Sequence, residues 1–193
     1  DTLEAGRSIT LGLDYKNEKK DNLNQINNYF ELKLATVFRD KEEKFIPNKS
    51  TLHRKNSNLF GSISNKFSDY LNIGYDFSID NNYNTFEYND FNATLSINNF
   101  VTKFNFIEEH GETGDANILA NTTSYSWDER NSFQFQTRRN RKLNLTEYYD
   151  LVYEYRNDCL TAGIKYRKTY YQDRDLKPKE DLFFTVTLFP LTT

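Results

Sequence analysis

Few residues in this chain are of a type and spacing that could do chemistry. A basic run consists of Arg138, Arg139, Arg141 and Lys142. Such guanidinium and ammonium groups suit phosphate oxygens, although a solvated loop end is the more ordinary interpretation of the same pattern. Cys159 is the only cysteine, so it is either a small packed side chain or the partner of a cysteine in another segment.

Other kinds of chemistry have little support. His53 and His110 are isolated, and no cluster has metal-ligand spacing. The acidic residues Asp173, Asp175 and Glu180 lack the pattern of a calcium-binding loop. Because there is also no nucleophile–base arrangement and no glycine-rich phosphate loop, we expect neither an enzyme nor a cofactor. The net charge of -3 provides no basic field, so nucleic acid is not favoured as a partner.

The dominant pattern along the chain is alternation of apolar and polar residues. Successive side chains of a strand point to opposite faces, so a period of two predicts β-strands, and a helical period of 3.6 is not seen. Short turns separate many of the runs and predict consecutive hairpins. The predicted strands are Ser8–Lys16, Tyr29–Arg39, Leu59–Phe67, Leu71–Ile79, Thr85–Ile97, Phe100–Ile107, Ile118–Trp127, Ser132–Arg139, Tyr149–Tyr155, Leu160–Tyr166 and Leu182–Leu188.

Composition and loop lengths favour a membrane barrel over a soluble sheet. The chain has 16 Phe and 14 Tyr, yet its mean hydropathy is -0.84, as expected if large apolar side chains occupy alternate positions only. Short connections alternate with longer ones, and the polar linker predicted over Asn17–Asn28 is the exception. We therefore predict an antiparallel up-and-down transmembrane β-barrel. The alternative is a soluble β-sandwich, in which the Leu71–Ile79 stripe packs beneath a second sheet.

The strand count suggests a part of a larger barrel. About eleven strands is an odd number, and Asp1 is not an initiator methionine. We expect residues 1–193 to be the C-terminal portion, with further strands on the N-terminal side. Three lysines are predicted to face an aqueous lumen: Lys33, Lys103 and Lys165. An aromatic girdle at the membrane interfaces is predicted from Tyr75, Tyr125, Trp127, Tyr153 and Tyr155.

Several stretches resemble one known family. The most specific are Tyr148–Tyr155, the turn Asn157-Asp158-Cys159-Leu160, and Tyr170-Tyr171 followed by Asp173-Arg174-Asp175, Pro178 and the run Leu182–Leu191. Weaker agreement lies upstream, in Glu4–Arg7, Val37–Arg39, Phe45–Pro47 and Asn58–Gly61. Together they resemble the C-terminal barrel of the lipopolysaccharide-assembly outer-membrane protein D family, also called organic solvent tolerance protein.

This resemblance implies a function and a set of partners. It implies a Gram-negative outer-membrane protein that inserts lipopolysaccharide into the outer leaflet through its lumen and a lateral seam. The implied partners are lipopolysaccharide, membrane lipid, a plug lipoprotein, and a periplasmic bridge protein. The resemblance also implies an N-terminal periplasmic domain outside residues 1–193, through which the bridge protein docks. Cys159 would form a disulfide with a cysteine of that domain, whereas Leu160 replaces a second cysteine found in some members. The seam strand would comprise Leu182, Phe183, Phe184, Thr185, Val186, Thr187, Leu188 and Phe189.

One further alternative stays open from the sequence. A general porin or an adhesin-type outer-membrane barrel would show the same alternating strands. Such a barrel would close within its own chain and would have no need of Cys159.

Overall fold

Eleven antiparallel strands follow one another in a computed structural model that describes residues 6–20, 26–170 and 177–188. They form one sheet in chain order from β1 to β11. Short 3-10 turns occur at Asn48–Ser50 and Gly111–Thr113. The predicted all-β, up-and-down antiparallel class is therefore confirmed. The strands are β1 Ser8–Lys20, β2 Ile26–Arg39, β3 Leu59–Lys66, β4 Leu71–Ile79, β5 Phe86–Ile97, β6 Phe100–Glu109, β7 Asn117–Ser126, β8 Asn131–Asn140, β9 Leu145–Arg156, β10 Leu160–Thr169 and β11 Lys179–Leu188.

The polar linker predicted over Asn17–Asn28 is wrong. Strand β1 continues to Lys20 and β2 begins at Ile26, with Asn17 opposite Phe30 and Glu18 opposite Tyr29. Ladder hydrogen bonds come from the backbone, so a strand can extend through polar residues that carry no alternating apolar signal. The connection between β1 and β2 therefore comprises only residues 21–25, which lie outside the described residues. It is shorter than the linker that was the exception to the alternation of short and long connections.

The chain forms two compact units, each treated by itself below. One unit consists of Asp1–Ala93 and Phe106–Asn117, and the other of Thr94–Asn105 and Ile118–Thr193.

In the first unit, cross-strand register places the apolar stripes on one face. Ile63 lies opposite both Leu32 and Tyr75, and Gly61 lies opposite both Leu34 and Phe77. Directly opposed residues share a face, so these stripes are continuous from strand to strand. The other face carries Lys33, Ser62 and Asp76, which are opposed in the same way. The predicted sidedness of the Tyr75 and Phe77 hairpins is confirmed within this unit.

The second unit has the same two-sided character. Tyr153 lies opposite both Phe133 and Ile164, and Ile164 also opposes Phe184. The adjacent row of opposed residues, on the other face, consists of Gln134, Val152 and Lys165. Strand alternation therefore separates an aromatic and aliphatic face from a polar face here too.

Burial in this protein is the reverse of that in a water-soluble domain. Among the described residues no hydrophobic side chain is buried, whereas Asn58, Thr51 and Asp150 are fully buried. The stripe of Leu71–Ile79 is partly exposed, not covered by a second layer. The β-sandwich alternative is therefore wrong, because a sandwich must bury the inner faces of both sheets.

The long connection after β2 is packed by polar contacts. The Asn58 amide donates to Ser78 Oγ at 2.9 Å and to Glu87 Oε2 at 2.6 Å. Across the same connection, Arg54 pairs with Glu112 at 2.9 Å. These contacts satisfy buried polar groups and fix the connection against the neighbouring strands of its own unit.

Replacing Gly61 with alanine is expected to destabilise the first unit by about 1 kcal/mol. A Cβ at Gly61 would overlap the Phe77 ring, so the ring would have to move. It would then lose its stacking on Tyr75 at 5.3 Å. The measurement is denaturant unfolding in detergent, with Gly12→Ala as the control because its Cβ would meet nothing nearer than 3.4 Å. Equal stabilities of the two variants would contradict the role of the glycine.

The turn between β7 and β8 makes part of the stability pH-dependent. Asp128 Oδ1 accepts hydrogen bonds from the backbone N–H groups of Arg130 at 2.8 Å and Asn131 at 2.7 Å, and the Asn131 side chain also donates to it. Hydrogen bonds from the Asn131 side chain and then from the backbone lower the pKa of this carboxyl below its usual value. A lowered pKa gives stability that is present above the unfolded pKa and is lost as pH falls through the folded pKa.

Wild-type protein should therefore exceed Asp128→Asn in stability at neutral pH. We expect the difference to shrink as pH falls below about 4, near the pKa of an unfolded Asp. Unfolding midpoints collected across this range test it, with Glu129→Gln as the neighbouring control. A difference that stays constant with pH would contradict the assignment.

Candidate functional site

The most ordered charged site lies on the polar face of β9 and β10. Arg167 Nε and Nη2 donate to the two carboxylate oxygens of Asp150, both at 2.6 Å. Lys165 Nζ lies 2.9 Å from Asp150 Oδ2. Asp150 has 0% relative exposure, whereas the two basic side chains are 34% and 38% exposed. A carboxylate thus holds two cations in fixed positions with part of each turned to solvent.

The strand register explains why these groups meet. Asp150 and Arg167 are direct cross-strand partners, and Lys165 opposes the next residue, Val152. The Arg167 guanidinium also lies over the Tyr148 ring, 5.1 Å from its centre. Bidentate pairing and ring contact both restrict the guanidinium plane. The arrangement can present oriented cations to an anionic or hydroxyl-rich solute.

The three predicted lumen lysines all lie on polar faces. Lys33 Nζ pairs with Glu31 at 2.8 Å in the first unit, and Lys165 belongs to the Asp150 cluster. In the second unit Thr102 Oγ1 contacts Thr123 Oγ1 at 2.8 Å, and Thr123 opposes Phe135 on the apolar face. Thr102 therefore also lies on the apolar face. Because successive side chains of a strand alternate, Lys103, which follows Thr102, lies on the polar face. Their contact with a lumen stays a prediction.

Sequence reasoning identified Lys165 but missed Asp150 and Arg167 as site residues. A signal existed in the hairpin that connects β9 to β10. Counting outward from Asn157–Cys159 brings Asp150 close to Arg167 in the ladder. Two opposite charges at such positions predict a cross-strand pair.

The basic run does not form a single clamp. Arg138 Nε pairs with Glu147 at 2.9 Å, and Arg138 opposes Tyr148 on the polar side of β8. Arg139 instead opposes Leu119, on the side of Phe133 and Phe135. Consecutive residues of a strand point to opposite faces, so Arg138 and Arg139 are split between the two faces. The whole run therefore does not form the phosphate clamp that was the less ordinary interpretation of the sequence.

Aromatic rings cluster on the apolar face of the second unit. Trp127 stacks on Tyr153 with centroids 5.8 Å apart and an interplanar angle of 7°. Tyr125 is exposed beside them, and the Tyr153 hydroxyl donates to Asn131 Oδ1 at 2.7 Å. These rings lie near the turn at residues 127–130, where an interfacial girdle would be expected. In the first unit, Tyr75 donates to Asn89 Oδ1 at 2.6 Å.

Cys159 lies in the turn between β9 and β10. Asn157 Oδ1 accepts hydrogen bonds from the backbone N–H groups of Cys159 at 3.0 Å and Leu160 at 2.8 Å. The thiol is free and half-buried. The side chain of Asn157 thus shapes the turn and holds the cysteine at its edge. The disulfide stays a prediction.

The predicted seam strand corresponds to β11. It pairs with β10 from Leu160–Leu188 to Thr169–Lys179 without a register shift. Sheet order gives it no second partner among the described strands. Phe184 and Leu188 are 69% and 74% exposed, and Phe189 lies outside the described residues. The role of this strand as a seam is not tested by its geometry.

Metal-binding and helical membrane features are not seen in the described part of the chain. His53 lies 3.6 Å from Glu112 and His110 lies 3.5 Å from Glu108, and no group of three metal-ligating residues occurs there. Within residues 6–20, 26–170 and 177–188, no helix has the length and apolar character needed to cross a membrane.

These features define an all-β, antiparallel, up-and-down sheet, in which each unit has a more polar face and a more apolar face. No family model matches the sequence, and no curated protein matches it. A solved structure to which the chain is similar is a mutant of Rh. blastica porin, with a TM-score of 0.48 and 10% sequence identity. The similarity covers 91% of this chain and 79% of the porin chain.

Proposed function

We propose that this chain forms part of the wall of an outer-membrane β-barrel in a Gram-negative bacterium. The observation that carries the proposal is the reversed burial, in which large hydrophobic side chains are exposed and the fully buried side chains are polar. Exposed apolar surface of this extent is costly in water but favourable against acyl chains. The opposite face, with its ion pairs, suits an aqueous passage.

Strand lengths support the same location. Strands β4, β7 and β10 contain 9, 10 and 10 residues. A tilted transmembrane strand needs about 9–11 residues to cross the hydrocarbon layer. These three strands are therefore long enough to span it, whereas β3 is one residue shorter than β4, with 8.

Within this class, we propose lipopolysaccharide transport and insertion into the outer leaflet. The support is the family resemblance of Tyr148–Tyr155 and of the Asn157–Cys159 turn. The Asp150 cluster suits this cargo, because oriented cations bind phosphate and carboxylate groups of a sugar lipid. The partners would be lipopolysaccharide, membrane lipid, a plug lipoprotein and a periplasmic bridge protein, and β11 would form one side of the exit seam.

A general porin or adhesin-type barrel is the second candidate. Facing acidic and basic side chains, as in Asp150 with Lys165 and Arg167, can also select small solutes in a pore. The polar face by itself supports both candidates.

The membrane location is tested by spin labels on β4. Single cysteines at positions 75, 76 and 77 (Tyr75→Cys, Asp76→Cys, Phe77→Cys) are introduced in a Cys159→Ser background and labelled after reconstitution into vesicles. We expect oxygen to relax the labels at 75 and 77 and a water-soluble nickel complex to relax the label at 76. The reason is that the two faces meet lipid and water respectively. Equal accessibility at all three positions would contradict a membrane wall.

The two candidate functions are separated by Cys159. If the chain assembles lipopolysaccharide as the resemblance implies, the full-length protein should run differently on a non-reducing gel after Cys159→Ser. Asn157→Ala is the matched control, because it disturbs the same turn and retains the thiol. Unchanged mobility of Cys159→Ser would count against lipopolysaccharide assembly and would favour the porin or adhesin-type barrel.

A further inference from the structure

Arg139 is a charged residue at one end of the face that carries Phe133 and Phe135, with the opposed pair Thr137 and Asn121 between it and those rings. It continues the row of Phe133 and Phe135 along β8, and it lies directly opposite Leu119 on β7. Its side chain is exposed. A cation on the lipid-facing side of a membrane strand is costly at mid-depth but is accommodated near the headgroups.

The turn that follows β8 holds this cation in place. Asn144 has a positive φ of 50°, and its Oδ1 accepts a hydrogen bond of 2.5 Å from Arg139 Nη2. Its backbone N–H donates to the Arg141 carbonyl at 3.2 Å, which closes the turn. Leu119, Arg139, Arg141 and Asn144 thereby line a cleft of ≈ 350 Å³. Two of the four lining residues are arginines, and one is the aliphatic Leu119.

Two neighbouring tyrosines, Tyr149 and Tyr170, indicate where this cleft would lie relative to the membrane surface. Tyr149 opposes Thr137, one step before Arg139 on the same face. Its ring stacks on Phe135 at 6.1 Å and meets the edge of Tyr170 at 5.9 Å. Tyrosines concentrate at the level of the lipid headgroups. Arg139 lies two residues farther along the strand, about 7 Å toward the aqueous side of the headgroup layer.

We propose that this cleft binds the phosphate of a membrane-lipid headgroup. The proposal rests on the proposed membrane location of the apolar face. Guanidinium groups suit phosphate oxygens in both charge and geometry. Leu119 lines the cleft, and Phe135 lies farther along the same face beyond the row of Asn121 and Thr137, where acyl chains of the bound lipid would pack. The site would hold an annular lipid on the outer surface of the wall, separate from the Asp150 cluster on the opposite face.

The test uses the full protein in phosphatidylcholine vesicles that contain increasing fractions of phosphatidylglycerol. Lipid retained by the protein is counted by native mass spectrometry for wild type and for the double variant Arg139→Gln/Arg141→Gln. Arg130→Gln is the matched control, because Arg130 is an exposed arginine of the same unit in the turn at the opposite end of β8. A parallel titration replaces phosphatidylglycerol with inorganic phosphate. Spin-label accessibility on β4 reports membrane insertion in every sample.

We expect the double variant to lose about tenfold in affinity for phosphatidylglycerol, as expected for removal of charge-assisted hydrogen bonds. The Arg130→Gln control should bind like wild type, and inorganic phosphate should not displace the lipid. Equal retention by the double variant and wild type, with normal insertion, would overturn the lipid site alone. Displacement by inorganic phosphate would identify a free-anion site and would also overturn it. Failure of wild type to insert would overturn the membrane location and this site together.

Discussion

Asp150→Asn is expected to lower the free energy of unfolding by about 2–3 kcal/mol. The carboxylate is fully buried and is the counter-charge that Lys165 and Arg167 share. Asparagine has nearly the same shape but leaves the two cations without their shared counter-charge. Because each cation is partly exposed, solvent compensates some of the loss, and we expect less than the full effect of breaking a deeply buried pair.

The matched control for this variant is Glu154→Gln. Glu154 lies on the same strand and the same face as Asp150, but it is exposed. Its substitution should change the free energy of unfolding by less than about 0.5 kcal/mol. Both variants are compared with wild type by denaturant titration in detergent micelles. Equal effects of the two substitutions would show that the Asp150 cluster has no special role in stability.

The second large effect is expected for a charge on the apolar face. Ile164→Lys places an ammonium group midway along β10, between Tyr153 and Phe184 on the neighbouring strands. Ile164 is 42% exposed, so the lysine has space and its cost comes from its surroundings. In a lipid-facing position near the membrane midplane, lysine destabilises a barrel by about 2–4 kcal/mol.

Gln134→Lys gives the corresponding change on the opposite face. Gln134 opposes Val152, and Val152 in turn opposes Lys165. If the polar face meets water, this lysine should reduce stability by no more than about 1 kcal/mol. Folding into vesicles and subsequent denaturant unfolding measure both variants. A greater loss for Gln134→Lys than for Ile164→Lys would reverse the assignment of the two faces.

The alternating sequence already determined most of the architecture. In the stretch Leu71–Ile79 every second residue is large and apolar, and a strand must turn these side chains to one side. The hairpins around 67–70, 98–99 and 157–159 followed from polar residues between such runs. Alternation depends only on local backbone geometry, which explains why the class of fold and the two-sided sheet were predictable.

Strand ends were less predictable, because ladder hydrogen bonds do not depend on side-chain type. Polar residues extend β1 to Lys20, and β9 begins at Leu145 instead of Tyr149. At the start of β11, Glu180 is held by an ion pair with Lys168 at 2.8 Å. Such pairs require the partner strand, so one strand read alone gives no sign of them.

The alternating pattern alone decided which residues share a face, and tertiary structure decided which of them touch. A slip of two residues between strands leaves every side chain on its original face, so hydrophobic pattern fixes the register only up to such steps. The actual register, set by turn geometry and ladder bonds, brings Asp150 to Arg167 and Arg139 to Leu119. The Asp150 cluster depends on that choice, and so does the place of Leu119 in the cleft beside Arg139, because strand pairing alone joins these residues.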